Sequence, residues 1–207
     1  MLPKDMADNF FQKDGWFYNP NVSPTNERTR MKSELLYSLL MGTELLIDSG
    51  EIDKYSKKIL AKLSRFPPTI FISAECFRFK ILDLLDSTQF IPNDSKNVLS
   101  FCKTKKGFCD FSLELKQDDY MGTKKRSQWD ISVPSAISTV QALYIAKKFD
   151  KDTYEAVLAN AIDFARHLTH NPYDIPAFKI REIKINFGLD ITPFELIAAS
   201  KLISLIK

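Results

Sequence analysis

Leucine and isoleucine recur at three- and four-residue steps through most of this chain, in blocks separated by short polar or proline-bearing breaks. On an α-helix that step gathers apolar side chains into one broad stripe, and a stripe must be buried against another element. Met31, Leu35, Leu36, Leu39, Leu40, Leu45 and Leu46 predict a first helix over about Glu27 to Asp48, stopped by Ser49-Gly50. Ile52, Tyr55, Ile59, Leu60 and Leu63 predict a second over about Glu51 to Ser64. So short a connection implies an antiparallel helix pair.

From Thr69 to Ser87 the apolar residues are nearly continuous, interrupted by Glu75, Arg78, Lys80 and Asp83. Length favours a buried central helix, although Ile70, Ile72 and Ala74 alternate as in a strand. Helices resume at Ser132-Val133-Pro134-Ser135, where a serine cap and an early proline suit a helix start. Ile137, Val140, Leu143, Tyr144 and Phe149 give that helix its stripe. Phe149 to Asp152 reads as a tight turn before a helix over Thr153 to His170. Residues 178–187 fit a strand or a helix. Thr192-Pro193-Phe194-Glu195 is a capping box, opening a last helix through Leu196, Ile197, Ala199, Leu202, Ile203 and Ile206.

The expected fold is therefore mainly α, with six or seven helices. Antiparallel pairs pack in one bundle-like domain over 1–207, with a small β-hairpin or irregular lobe near residues 100–116. Residues 1–26 form an extended arm whose Phe10, Phe11, Trp16, Phe17 and Tyr18 are expected to pack across the body. A first helical half (27–87) and a second (132–207) flank an inserted basic lobe at 88–131.

With 44% hydrophobic and 27% charged residues, the 207-residue chain has the composition of a globular protein with a sizeable core. A net charge of +3 argues against a strongly basic nucleic-acid-binding body, though not against one basic patch. No apolar run reaches the roughly 18 residues of a membrane span. The start lacks the basic-then-apolar order of a secretory signal, and three cysteines suit a reducing compartment, so the expected location is the cytoplasm.

Reactive chemistry is scarce. Six glycines never cluster into a phosphate-cradling loop, and only two histidines are present. No cofactor is expected. Asp163, His167 and His170 fall within about 60° of one another on a helix, the one spacing that suits a divalent metal. That face points away from Val157, Ala161, Phe164, Ala165 and Leu168, so a solvated polar face is the simpler reading. Cys102 and Cys109 face each other across the proposed hairpin, but their spacing is longer than that of zinc motifs.

Charge is concentrated in the middle. Between Lys96 and Arg126 eight Lys or Arg meet four Asp or Glu, a local +4 against +3 for the whole chain. Lys103, Lys105, Lys106, Tyr120, Lys124, Lys125, Arg126 and Trp129 form the candidate binding set, able to meet phosphates or an acidic protein face. Together these features favour a non-catalytic cytoplasmic protein that binds another macromolecule, with a protein as the expected partner. A toxin-neutralising immunity or antitoxin protein is one concrete form. The alternatives are a metal-dependent enzyme on the Asp163/His167/His170 face and a weak nucleic-acid binder through the basic lobe.

Overall fold

A computed structural model describes residues 30–66, 68–87, 91–110, 134–170 and 192–206. The expected arm, the second basic cluster and the ambiguous stretch 178–187 lie outside the described residues. Seven α-helices are present among those described: α1 (Arg30–Asp48), α2 (Ile52–Arg65), α3 (Ile72–Leu84), the short α4 (Asn97–Phe101), α5 (Ala136–Ala146), α6 (Lys151–His170) and α7 (Thr192–Ile203). A 3₁₀ turn, Asn93–Lys96, leads into α4, and another, Ser204–Ile206, follows α7. The fold is all-helical; the only β pairing described is two isolated antiparallel bridges, Lys103 with Phe108 and Phe108 with Ser135. None of these helices is long and apolar enough to cross a membrane.

The chain divides into two compact units, one of Met1–Thr69 and Ala74–Ser95, the other of Ile70–Ser73 and Lys96–Lys207. In the first, α1 buries Leu36, Leu39, Leu40 and Leu46. It closes as its sequence demands: Glu51 N donates to Leu46 O (2.9 Å) and Gly50 N to Ile47 O (3.0 Å), with Gly50 at φ +72. This paired capping needs a left-handed residue, which glycine supplies without strain. Asp86 fills the same place after α3 at φ +47, with Ser87 N on Leu82 O at 2.9 Å. Leu45, assigned to the buried stripe by its spacing, is exposed instead, while Thr43 is buried and donates to Leu39 O at 2.7 Å.

Helix α3 settles the choice between helix and strand for its segment. Apolar residues lie on nearly every side of it because it is buried nearly all round: Ile72, Ala74, Cys76, Phe79, Ile81 and Leu82 are inside. So are two of the charges that seemed to interrupt it. Glu75 and Arg78, both with side chains 0% exposed, form an ion pair of 3.1 Å one helical turn apart. Each charge has further partners. Thr69 N donates to Glu75 Oε1 (2.7 Å), Arg78 Nη1 donates to Leu63 O at the end of α2 (3.0 Å), and the guanidinium lies 5.4 Å from the centre of the Phe66 ring.

In the second unit, α5, α6 and α7 pack pairwise on one another. Their shared core is built from Ala136, Ala161, Phe164, Ala165, Leu168, Ala198, Ala199 and Leu202, with Ile137, Val140 and Leu143 packed partly buried against it. The spacing-based stripe of α5 is thus displaced. Its most buried face carries small residues, Ala136, Ser138, Thr139, Ala142 and Ala146, beside Ile145. On α7 the expected Ala199 and Leu202 are inside, joined by Ala198, while Leu196 and Ile197 are exposed.

Glu195 does more than its local reading says. The capping-box pattern assigns it to its own helix, and its buried carboxylate accepts from Ala136 N and, at 3.1 Å, from Ile137 N, the first amides of α5. The cap of α5 itself is Ser135, one turn later than the Ser132 start, accepting from Ser138 N at 3.0 Å. The expected turn before α6 is present, with α6 beginning at Lys151 inside its second half: Asp150 caps the helix, Oδ1 accepting from Thr153 N (2.8 Å) and Oδ2 from Lys96 Nζ (2.7 Å). Hydrogen bonds from Lys96 and then Thr153 hold the Asp150 carboxyl well below its ordinary range.

Replacing Arg78 with methionine keeps the volume but strands the Glu75 carboxylate in the core. Urea denaturation of Arg78→Met is expected to show a loss of about 3–5 kcal/mol, far more than an exposed ion pair such as Arg166–Asp163 would give up.

Candidate functional site

The lysines of the middle segment sit on a tight turn. Helix α4 ends at Cys102, whose N–H donates to Val98 O at 3.0 Å, and the chain then reverses over 103–108. Cys109 N donates to Cys102 O (3.0 Å) and Thr104 N to Gly107 O (3.1 Å), which sets the Lys103–Phe108 bridge. The Thr104 hydroxyl closes the turn from inside, donating to Lys106 O (2.7 Å) and Gly107 O (2.9 Å). The hairpin expected over 100–116 is therefore a one-bridge turn within the described residues, and 111–116 lie outside them.

Two helices hold this turn. From α5, the Thr139 hydroxyl accepts from Phe108 N (3.0 Å) and donates to Ser135 O (2.8 Å), while Ser135 N donates to Phe108 O (3.0 Å). From α6, Asn160 Nδ2 donates to Thr104 O at 3.2 Å. Gly107 lies against the Phe164 ring at φ +77; a Cβ there would stand 2.8 Å from Phe164 Cγ and 2.9 Å from Thr139 Oγ1. Glycine is required twice over, by backbone conformation and by space. Phe108 is buried beside it.

The result is a fixed backbone with Lys103, Lys105 and Lys106 all exposed upon it. Two candidates that lie far apart in sequence meet here: Lys106 Nζ is 3.2 Å from His167 Nδ1. The other members of the metal-like triplet turn elsewhere. Asp163 pairs with Arg166 at 3.5 Å, and His170 Nδ1 lies 2.7 Å from Arg166 O, within its own helix. Among the described residues no three His, Cys, Asp or Glu side chains group as metal ligands. Tyr120, Lys124, Lys125, Arg126 and Trp129 lie outside the described residues.

Below the turn, Asp110 receives the first amides of α3. Ile72 N donates to its carbonyl (3.0 Å), Ser73 N to Oδ1 (2.7 Å) and the Ser73 hydroxyl to Oδ2 (3.1 Å). Burial pushes the Asp110 carboxyl above its ordinary value, against the two Ser73 bonds that pull it down. Residue spacing does not single out Gly107 or Asn160, and it places Phe164 only in the core stripe of α6. The Lys-Lys-Gly order and one amide amid the buried residues of α6 are the traces they leave in the chain.

No protein-family model, curated protein or solved structure matches this chain.

Gly107→Ala is expected to cost about 3 kcal/mol, from the left-handed backbone and the crowding by Phe164, read as a lower urea midpoint. The raised Asp110 carboxyl makes a second, pH-dependent expectation. The native state holds this proton more tightly than the unfolded chain, whose carboxyl titrates near 3.8. That contribution is complete below the unfolded value and is lost as pH rises through the folded one. Asp110→Asn keeps an acceptor for Ser73 N and removes the titration. Its unfolding free energy, measured from about pH 4 to about pH 7, should therefore fall less with rising pH than that of the unaltered protein.

Proposed function

We propose that this chain acts by binding another protein, without catalysing a reaction, and that the 103–107 turn is its contact surface. One observation carries the reading: three exposed lysines stand on a backbone already locked by Gly107 against Phe164 and by Thr139 and Asn160. A surface ordered before its partner arrives loses little conformational entropy on binding. Clustered ammonium groups favour an acidic face, speeding encounter and rejecting basic partners.

Neutralising a toxin, as immunity and antitoxin proteins do, is one form of this role, since it asks for shape and charge and no reactive group. A cytoplasmic location goes with the reading; the three cysteines, all buried and outside any disulfide, support it. Phosphates would also meet these lysines, which makes nucleic acid the competing ligand.

Affinity capture from the source cell, comparing the unaltered chain with the Lys103→Gln/Lys105→Gln/Lys106→Gln variant, tests the proposal. All three side chains are exposed, so circular dichroism should be unchanged. A stoichiometric protein partner retained after nuclease treatment, and weakened about tenfold or more in the variant (~1.4 kcal/mol), is the expected result. Equal retention by both forms would remove the turn from the contact surface. Loss of capture on nuclease treatment would transfer the role to nucleic acid.

A further inference from the structure

The structure assigns to Cys102 and Cys109 a reversible disulfide site that staples the lysine turn. The assignment rests on the geometry of the turn and does not depend on the binding role. Cys109 N donates to Cys102 O at 3.0 Å, one step out from the Lys103–Phe108 bridge. The two residues stand opposite each other through this single bond, Cys102 N being taken by Val98 O, and opposed residues of an antiparallel pair have Cα atoms about 4.5–5.5 Å apart. A disulfide accepts Cα separations of roughly 4.4–6.8 Å. The side chains agree with the backbone. The Cys109 thiol donates to the carbonyl of Cys102 itself, with Sγ 3.3 Å from that oxygen, and the Cys102 thiol lies between Ile70 O (3.3 Å) and the carbonyl of Asp110 (3.4 Å), the next residue after Cys109.

Both thiols are buried, at 0% and 2% exposure. A small oxidant therefore reaches them when the turn opens locally, and closing the turn brings the second sulfur to the first. With a small disulfide such as oxidised glutathione, the Cys109 thiolate attacks one sulfur and expels one glutathione thiol. The Cys102 thiolate then attacks the Cys109 sulfur of the mixed disulfide and expels the second. Two protein thiols are oxidised, one glutathione disulfide is reduced, and the two protons end on the departing thiols. Once formed, the bond ties the chain on both sides of Lys103, Lys105 and Lys106. Reduction by a dithiol releases it.

The test incubates the whole native protein with oxidised glutathione, then alkylates it under denaturing conditions and maps its peptides by mass spectrometry. The expected product loses two hydrogens, carries one Cys102–Cys109 crosslink and keeps Cys76 alkylated. Dithiothreitol should restore three alkylated cysteines. Cys102→Ser should yield a stable glutathione adduct on Cys109 in place of the crosslink. Three alkylated cysteines after oxidation of the unaltered protein would overturn the assignment, as would a crosslink through Cys76 or between molecules. The unaltered protein decides the matter even where the serine variant does not fold.

Discussion

Helix amides that begin in a buried place need acceptors, and in this protein those acceptors come from far along the chain. The first amides of any α-helix have no partner within it. At α5 the requirement is met completely: Glu195 takes Ala136 N and Ile137 N, Ser135 Oγ takes Ser138 N, and Thr139 N bonds Ser135 O to start the regular ladder. At Ile72 and Ser73 the same office falls to Asp110, 37 residues beyond Ser73. A carboxylate suits the position doubly, as a strong acceptor and as a negative charge at the positive end of the helix dipole. Neither helix start is complete until a distant segment is in place. Local helix formation and tertiary closure are thereby one event.

The first unit solves a related problem at the opposite end of a helix. The last carbonyls of α2 lack intrahelical donors, and Leu63 O is reached by both Phe66 N and the Arg78 guanidinium. A buried guanidinium is costly by itself, so Glu75 stands beside it, and the second carboxylate oxygen takes Thr69 N. The arrangement connects the end of α2, the link through Phe66 and Thr69, and α3. An apolar pair of equal volume would pack as well. It would leave Leu63 O and Thr69 N without those partners. What the ion pair supplies that an apolar pair would not is a partner for Leu63 O and for Thr69 N.

Much of this was legible in the chain and some was not, for separable reasons. The stripes of α2 and α6 point inward as their spacing says, with Tyr55, Ile59 and Leu63 in one and Val157, Ala161, Phe164 and Leu168 in the other. Those helices are polar on one side, so the apolar side has only one place to go. On α5 and α7 periodicity misleads because apolar residues cover most of the circumference. Close packing then favours the small side, and alanines displace Leu196 and Ile197 from the interior. The turn of Glu195 to α5 escaped for another reason. A capping box is a local pattern, and nothing in four consecutive residues reports which helix start will lie nearby. The same holds for the meeting of Lys106 with His167, 61 residues apart.

The lysine turn is held more firmly than its charged sequence suggests. Lysines on an unsupported loop sample many positions, and each must be ordered when a partner binds. Here the backbone beneath them is held on both sides. The carbonyl of Thr104 is bonded to Asn160, the N–H of Phe108 to Thr139, and Gly107 fills a gap that no other residue fits. Side-chain freedom remains to Lys103, Lys105 and Lys106; backbone freedom has been removed during folding. A core of small residues makes this possible, because the alanine-rich faces of α5 and α6 bring Thr139 and Phe164 to the same turn. Packing that appears to serve only stability thus decides how sharply the charges of this surface are placed.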